Sequence, residues 1–347
     1  MLRKLFNLCM LFVLSFCWLA LGEESQTDSS EDAVDQAIER GLKWIADGQH
    51  ADGFFGAHKG STQSGVWALC GMAFLAKGHV PGTQPYGKVV EKIITKLAEI
   101  QKDDGYLSDD KGKMYSHCIS TLFLSEVSGM VRPELQKVID KTLPKALKVI
   151  IDAQKIKKDN NSQGGWRYKP NSQDSDFSCS GWALMALRSA RLNGAQIPPE
   201  SIKDAVGYIL RRHDENQGCF GYTDTSSHAV TLTGAGILCL SLCGEHANPA
   251  IGRASRYLMK NYKQLPKENY CFYGMYYTAQ GLFQMGGDEW KIFSKWMYDT
   301  WIPKQFEDGH WDRHEQDTYY QTAMVVLAFT VPYRQLPIYQ RDETVDE

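Results

Sequence analysis

The chain has 347 residues, with 38 basic and 41 acidic side chains and a formal charge of −3. Near-balanced charge with no basic stripe excludes nucleic acid as an expected partner. The length suits one large domain or two ordinary ones, and no apolar run beyond the N-terminus reaches membrane-spanning length.

Residues 1–22 read as a signal peptide. Arg3 and Lys4 form a positive start, Leu11 to Leu21 an apolar core, and Ala20-Leu21-Gly22 a small-residue cleavage region before Glu23-Glu24. An uncleaved membrane anchor is the alternative. Cleavage predicts a secreted or periplasmic protein with no membrane span and a flexible segment over 23–33. It also removes Cys9 and Cys17 from nine cysteines. Cys70, Cys118, Cys179, Cys239 and Cys243 fall on small-residue helices, where they read as buried apolar residues.

From residue 34 onward two kinds of helix alternate, in six pairs. The first kind is amphipathic with a charged face: Val34 to Asp47, Lys88 to Gln101, Leu135 to Gln154, Glu200 to Arg212, Pro249 to Tyr262, and Asp288 to Gln305. Val89, Ile93, Leu97 and Ile100 illustrate the helical spacing of its apolar residues. The second kind is rich in small and aromatic residues with few charges: Gln63 to Lys77, Tyr115 to Val127, Ser178 to Arg191, His228 to Leu242, Phe272 to Met285, and Thr318 to Phe329. A helix apolar nearly all round belongs inside. Six inner and six outer helices predict an all-α toroid over 34–331, with an open superhelix as the alternative. The polar tail, 332–347, is expected on the surface.

A glycine-aromatic turn joins the two kinds of helix. It reads Asp52-Gly53-Phe54-Phe55, Asp104-Gly105-Tyr106, Gly164-Gly165-Trp166, Gly218-Cys219-Phe220-Gly221 and Asp308-Gly309-His310-Trp311, and is degenerate around Tyr270 to Gly274. Glycine permits the sharp turn. Gln49, Gln101, Gln154 and Gln305 close, or nearly close, the preceding outer helix, where a side-chain amide can bond free helix carbonyls.

Arg40 through Gln49 and Gly53 to Phe55 resembles the QW repeat of squalene–hopene and oxidosqualene cyclases, with Phe55 in place of the final Trp. Gln305, Gly309 and Trp311 match the core of that repeat. The chain is thus similar to the prenyltransferase and squalene-cyclase repeat superfamily over roughly Val34 to Phe329. The resemblance implies an (α/α)6 toroid, which hosts several functions.

It also implies site residues. Asp174-Ser175-Asp176-Phe177 precedes an inner helix, where cyclases carry an Asp-x-Asp-Asp acid motif. Asp176 matches the proton donor and Asp174 its supporting carboxylate, while Phe177 replaces the last Asp. The plainer reading is that Asp174 or Asp176 caps the helix. The expected cavity liners are Trp67, Tyr115, Trp182, Phe272, Tyr276, Tyr277, Tyr319 and Tyr320, as cation-stabilising faces or as ordinary core. His117, Asp224, His228, His314, Glu315 and Asp317 could gather at one mouth of the ring. Asn269-Tyr270-Cys271 lacks the Asp of a prenyltransferase zinc site, so neither metal nor cofactor is expected. In Cys243-Gly244-Glu245-His246 the histidine stands where a thioester needs Gln.

The expected function is therefore an exported cyclase-like isomerase or lyase with a hydrophobic, isoprenoid partner; protein prenyltransferase activity is not expected. Triterpene cyclases use two helical barrels, and this chain has room for one. Two alternatives remain open at this point: a non-catalytic toroid binding a lipid, glycan or peptide, and a polysaccharide lyase or hydrolase using Asp174, Asp176, Asp224 and Asp317.

Overall fold

The computed structural model describes residues 32–55, 63–108, 113–313 and 317–339. The signal-like segment, residues 23–31, His314, Glu315 and the tail from 340 lie outside the described residues. Among the described residues the outer helices are α1 (32–47), α3 (Gly87–Ile100), α5 (Pro133–Lys155), α7 (Pro199–Leu210), α9 (Pro249–Asn261) and α11 (Gly287–Trp301). The inner helices are α2 (Ser64–Ala76), α4 (Lys113–Val127), α6 (Phe177–Leu192), α8 (Ala229–Leu242), α10 (Cys271–Met285) and α12 (Thr318–Phe329).

Burial separates the two classes as composition predicts. Every residue of α2 and of α8 is buried. The outer helix α3 buries Val90, Ile93, Ile94 and Leu97, one stripe at helical spacing. Burying each such aliphatic side chain stabilises the fold by about 1.5–3 kcal/mol. Inner neighbours pack in sequence from α2 to α12, and α12 packs on α2. That last contact closes the ring and rules out an open superhelix. Small residues set the spacing: a Cβ on Gly234 of α8 would stand 2.5 Å from the Thr278 nitrogen of α10.

The glutamines do more than cap their own helices. The Gln154 amide donates to Gly164 O at 2.9 Å and to Ser201 O, on the next outer helix, at 2.8 Å. Gln49 joins Gly53 O to Val89 O, and Gln101 joins Gly105 O to Thr142 O. Gln305 joins Gly309 O to Ala37 O, back on α1, so the same rivet closes the ring. Gly164 has φ +89°, and a Cβ there would meet Asp204 O at 2.3 Å. Only glycine lets the turn lie this close to the next helix. Repeat four has Asp214 four residues before its glycine, and a two-residue strand pair, β1 (His213–Asp214) and β2 (Cys219–Phe220), forms its turn instead. Gln154→Ala should remove two buried hydrogen bonds, to Gly164 O and Ser201 O, and cost about 1–3 kcal/mol in urea unfolding. A loss below about 0.5 kcal/mol would refute the rivet.

The tail departs from expectation. Leu336 and Ile338 are buried, and the Tyr339 hydroxyl meets that of Tyr276 at 2.5 Å. Ile338 N donates to Glu126 at 3.1 Å. Residues 336–339 thus close the ring at the C-terminal ends of α4 and α6, because Leu336 and Ile338 gain a site to bury. Glu126 is fully buried and also accepts from the Ser189 hydroxyl. Desolvation raises its carboxyl from 4.5 to about 7, against those two hydrogen bonds. The folded state therefore holds a proton that the unfolded state has released, and stability falls as pH rises through that interval. Melting temperature should drop between about pH 4.5 and 7 in the wild type and drop less in Glu126→Gln. Parallel curves would discount Glu126 as the source.

Candidate functional site

The N-terminal ends of all six inner helices open onto a cavity of about 730 Å³. Their aligned dipoles favour negative charge there. Trp182 of α6 lines it from below and stacks on Tyr276, with centroids 5.9 Å apart and planes at 9°. Beneath this floor, Tyr276, Tyr277 and the tail fill the ring.

Asp176 is fully buried and caps α6. The extended chain before the helix is pinned because Asp176 N donates to Trp166 O at 2.9 Å. Its Oδ1 accepts from Cys179 N at 2.7 Å and from the Tyr115 hydroxyl at 3.3 Å. Its Oδ2 lies 3.7 Å from Nη1 of Arg167, and neither atom has a hydrogen-bond partner. Desolvation raises the Asp176 carboxyl to about 6, opposed by Cys179 N–H, Arg167 and Tyr115. One side chain thus caps the helix and carries a carboxyl raised by burial. Asp176 does not line the cavity itself; Tyr115, its bonded neighbour, does.

Asp174 does not buttress Asp176. Its side chain is 62% exposed and pairs with Nε of Arg167 at 3.3 Å. Arg167 thus connects both carboxylates, because residues two apart in an extended segment reach it side by side. Phe177 turns into the core and packs against Phe220.

Of the eight expected aromatic liners, Tyr115, Trp182 and Tyr320 reach the cavity. Trp67, Tyr276 and Tyr277 are core, Tyr319 packs on Trp44, and Phe272 packs on Trp301 beside a separate 340 Å³ recess. The correction has one cause: an inner helix buried on all sides gives no periodic mark of which face looks into the ring. The remaining aromatic wall is Tyr168, Tyr222, Tyr270 and Tyr273. Two of these were detectable, since Tyr168 and Tyr222 each stand four residues after the turn glycines Gly164 and Gly218. Their hydroxyls bond each other, and the Arg167 guanidinium lies 4.6 Å from the Tyr168 ring centre and 5.6 Å from that of Tyr222.

The mouth cluster is only partly assembled. His228 and Asp317 line the cavity. His117 is buried below it, accepting from Leu107 N at 3.0 Å, with Nε2 3.1 Å from Ala146 O; burial lowers it to about 4. Asp224 accepts from Ser226 N and Ser227 N in a turn. Asp174 and Asp224 do not line the cavity. Asp317 caps α12 through Oδ1, which accepts from Tyr319 N at 2.9 Å and Tyr320 N at 3.1 Å. Its buried Oδ2 has no hydrogen-bond partner, and desolvation raises the carboxyl to about 6. Among the described residues no group of three His, Cys, Asp or Glu side chains could hold a metal ion. The described cysteines are free, and all but Cys243 are buried. No described helix is long and apolar enough to cross a membrane.

No protein-family model matches the chain, and no curated protein does. Solved structures do. A variant of the type II terpene cyclase MstE from Scytonema, in complex with its substrate geranylgeranyl dihydroxybenzoate, superposes with TM-score 0.56 at 13% identity over 89% of this chain and 99% of that one. A ligand-free MstE variant gives 0.58 at 11% identity over the same shares. A protein from Actinoplanes gives 0.54 at 13% over 86% and 98%. Together with the closed ring of paired helices, these similarities establish that the chain has the terpenoid cyclase-like α/α toroid fold.

Proposed function

We propose that the protein is a terpenoid cyclase-like enzyme that protonates and cyclises an isoprenoid in the ring-mouth cavity. One observation carries this reading: a buried, pKa-raised carboxyl, Asp176, is hydrogen-bonded to a tyrosine that lines an aromatic cavity. The cavity volume suits a small lipid. MstE, called a type II terpene cyclase, is covered almost whole by this single toroid, so a second barrel is not required of that activity.

In the proposed step the Tyr115 hydroxyl, which donates to Asp176 Oδ1 when that carboxyl is ionised, turns towards the cavity once Oδ1 is protonated; the carboxyl then gives its proton to the Tyr115 oxygen while the hydroxyl proton passes to a substrate alkene. The alkene π pair forms the new C–H bond and leaves a carbocation. Arg167 and the Cys179 N–H stabilise the carboxylate left behind. Aromatic faces of Trp182 and the tyrosines stabilise the cation against the opposing field of the helix N-termini as further alkenes close rings. Loss of a proton ends the sequence, so the net reaction is an isomerisation. Export to the periplasm or outside the cell belongs to the same proposal and is supported by residues 1–22 alone.

The test is incubation of the mature chain with squalene and polyprenyl compounds, including prenylated aromatic acids, in D2O. Cyclised product bearing one non-exchangeable deuterium is expected. Unchanged substrate across the panel would defeat the enzyme reading. Retention of those compounds by the protein in native mass spectrometry would then favour a non-catalytic lipid-binding toroid.

A further inference from the structure

The cavity has a side chain for a floor, since Trp182 reaches in from α6. We infer that the returning tail, residues 336–339, props this floor from below and so sets the length of apolar chain that the cavity accepts. The inference rests on the reading of the cavity as a site for an apolar chain, and it adds a specificity determinant to that reading.

A column of contacts joins floor to tail. The Trp182 ring stacks on Tyr276 of α10, with centroids 5.9 Å apart, and meets Tyr277 edge-on at 5.4 Å. The Tyr276 hydroxyl meets the Tyr339 hydroxyl at 2.5 Å. The tail is held in place by its own anchors. Ile338 N donates to Glu126 of α4 at 3.1 Å, and Gln284 Nε2 of α10 lies 3.5 Å from Tyr339 O. Leu336 and Ile338 are buried, whereas Pro332, Arg334 and Gln335 before them are exposed. The last inner helix, α12, ends at Phe329, so the segment can be removed without cutting a helix of the ring.

A ring in a close-packed stack moves only when space beside it is vacated. With the tail in place, Tyr276 has Trp182 above it and Tyr339 below. Without the tail, the Tyr276 hydroxyl loses its partner, the ring can swing towards the C-terminal end of α10, and Trp182 can follow it down. The anchor carboxyl of Glu126 accepts from the Ser189 hydroxyl, which places the tail at the level of Ser189. Trp182 and Ser189 stand about 10 Å apart along the α6 axis, and that is the depth the tail withholds.

The test uses two stiff apolar rods that cannot coil, trans-stilbene and the longer all-trans diphenylhexatriene, titrated by fluorescence into the full chain and into a chain ending at Gln335. The full chain should bind the two rods about equally, because the extra length stays in water at the mouth. The shortened chain should bind the longer rod at least about 10-fold more tightly than the shorter one. Tyr339→Phe keeps the apolar contacts of the tail and removes the hydroxyl that holds Tyr276, so it should show a smaller preference of about 3-fold. Cys239 gives a second readout. Its thiol is fully buried and would stand 3.7 Å from a Cβ on Gly181, the residue before Trp182. In the shortened chain the longer rod should slow alkylation of Cys239 by N-ethylmaleimide. The same length preference in all three proteins, or no binding of either rod to the full chain, would overturn the inference. Should the shortened chain lose its helical circular dichroism, the Tyr339→Phe preference decides. If the tail governs rod length but the full chain converts no isoprenoid, the enzyme reading fails while the tail stands as the prop of the floor.

Discussion

Asparagine at position 176 is expected to leave the protein folded and to reduce cyclisation by about 1,000-fold. The fold survives because Asn is nearly as good a helix cap as Asp, so stability should change by less than about 1 kcal/mol. Activity falls because the amide has no acidic proton to pass to Tyr115. The wild-type carboxyl titrates at about 6, raised by burial. Its acid form therefore declines as pH rises through that value, and turnover should decline with it. Removing the neighbouring cation should move the decline. Arg167→Met takes away a charge that favours the Asp176 carboxylate, so the alkaline limb should shift to higher pH while maximal turnover drops. A tyrosine-to-phenylalanine change at 115 should remove the cavity-lining hydroxyl that is hydrogen-bonded to Asp176 and approach the Asp176→Asn defect. If Asp176→Asn cyclises substrate at the wild-type rate, the proton comes from elsewhere and the proposed relay is wrong.

Trp166→Ala should cost about 3–5 kcal/mol, the largest stability loss predicted for a single residue here. Trp166 is 1% exposed and lies between α5 and α6. Its Nε1 donates to Ile150 O at 2.7 Å, near the end of α5, so truncation removes a large ring together with that hydrogen bond. Its backbone also bonds the Ser180 hydroxyl and Asp176 N. Collapse around the lost ring should therefore loosen the segment that places Asp176. Thermal unfolding should show a midpoint lowered by about 10 °C. Trp166→Phe, which keeps most of the ring volume, should lose less than half as much. A Trp166→Ala midpoint within about 2 °C of the wild type would mean that the turn aromatic does not anchor the repeat. Trp311 makes the equivalent bond to Trp301 O at 2.8 Å, so the argument carries to the last repeat.

The sequence alone determined the alternation of helices, the identity of inner and outer sets, and the turns between them. These are local consequences. One apolar stripe or apolar residues all round, glycine at positive φ, and a glutamine four or ten residues before it can be read along the chain without knowing any neighbour. Closure was an expectation that followed from six repeats, and the structure realises it through Gln305 reaching Ala37.

Tertiary structure decided the site. Asp176 and Asp317 both cap inner helices, yet one sits behind Tyr115 and Arg167 while the other lines the cavity. Nothing in their local sequence distinguishes them, because the difference lies in what the adjoining inner helices place around each carboxyl. Rotation about an inner helix axis likewise decided that Trp182 forms the floor while Tyr276 and Tyr277 lie beneath it. A helix buried on every face has no solvent side to leave a mark in its sequence, so only packing against both neighbours and the returning tail fixes which residues meet the hollow.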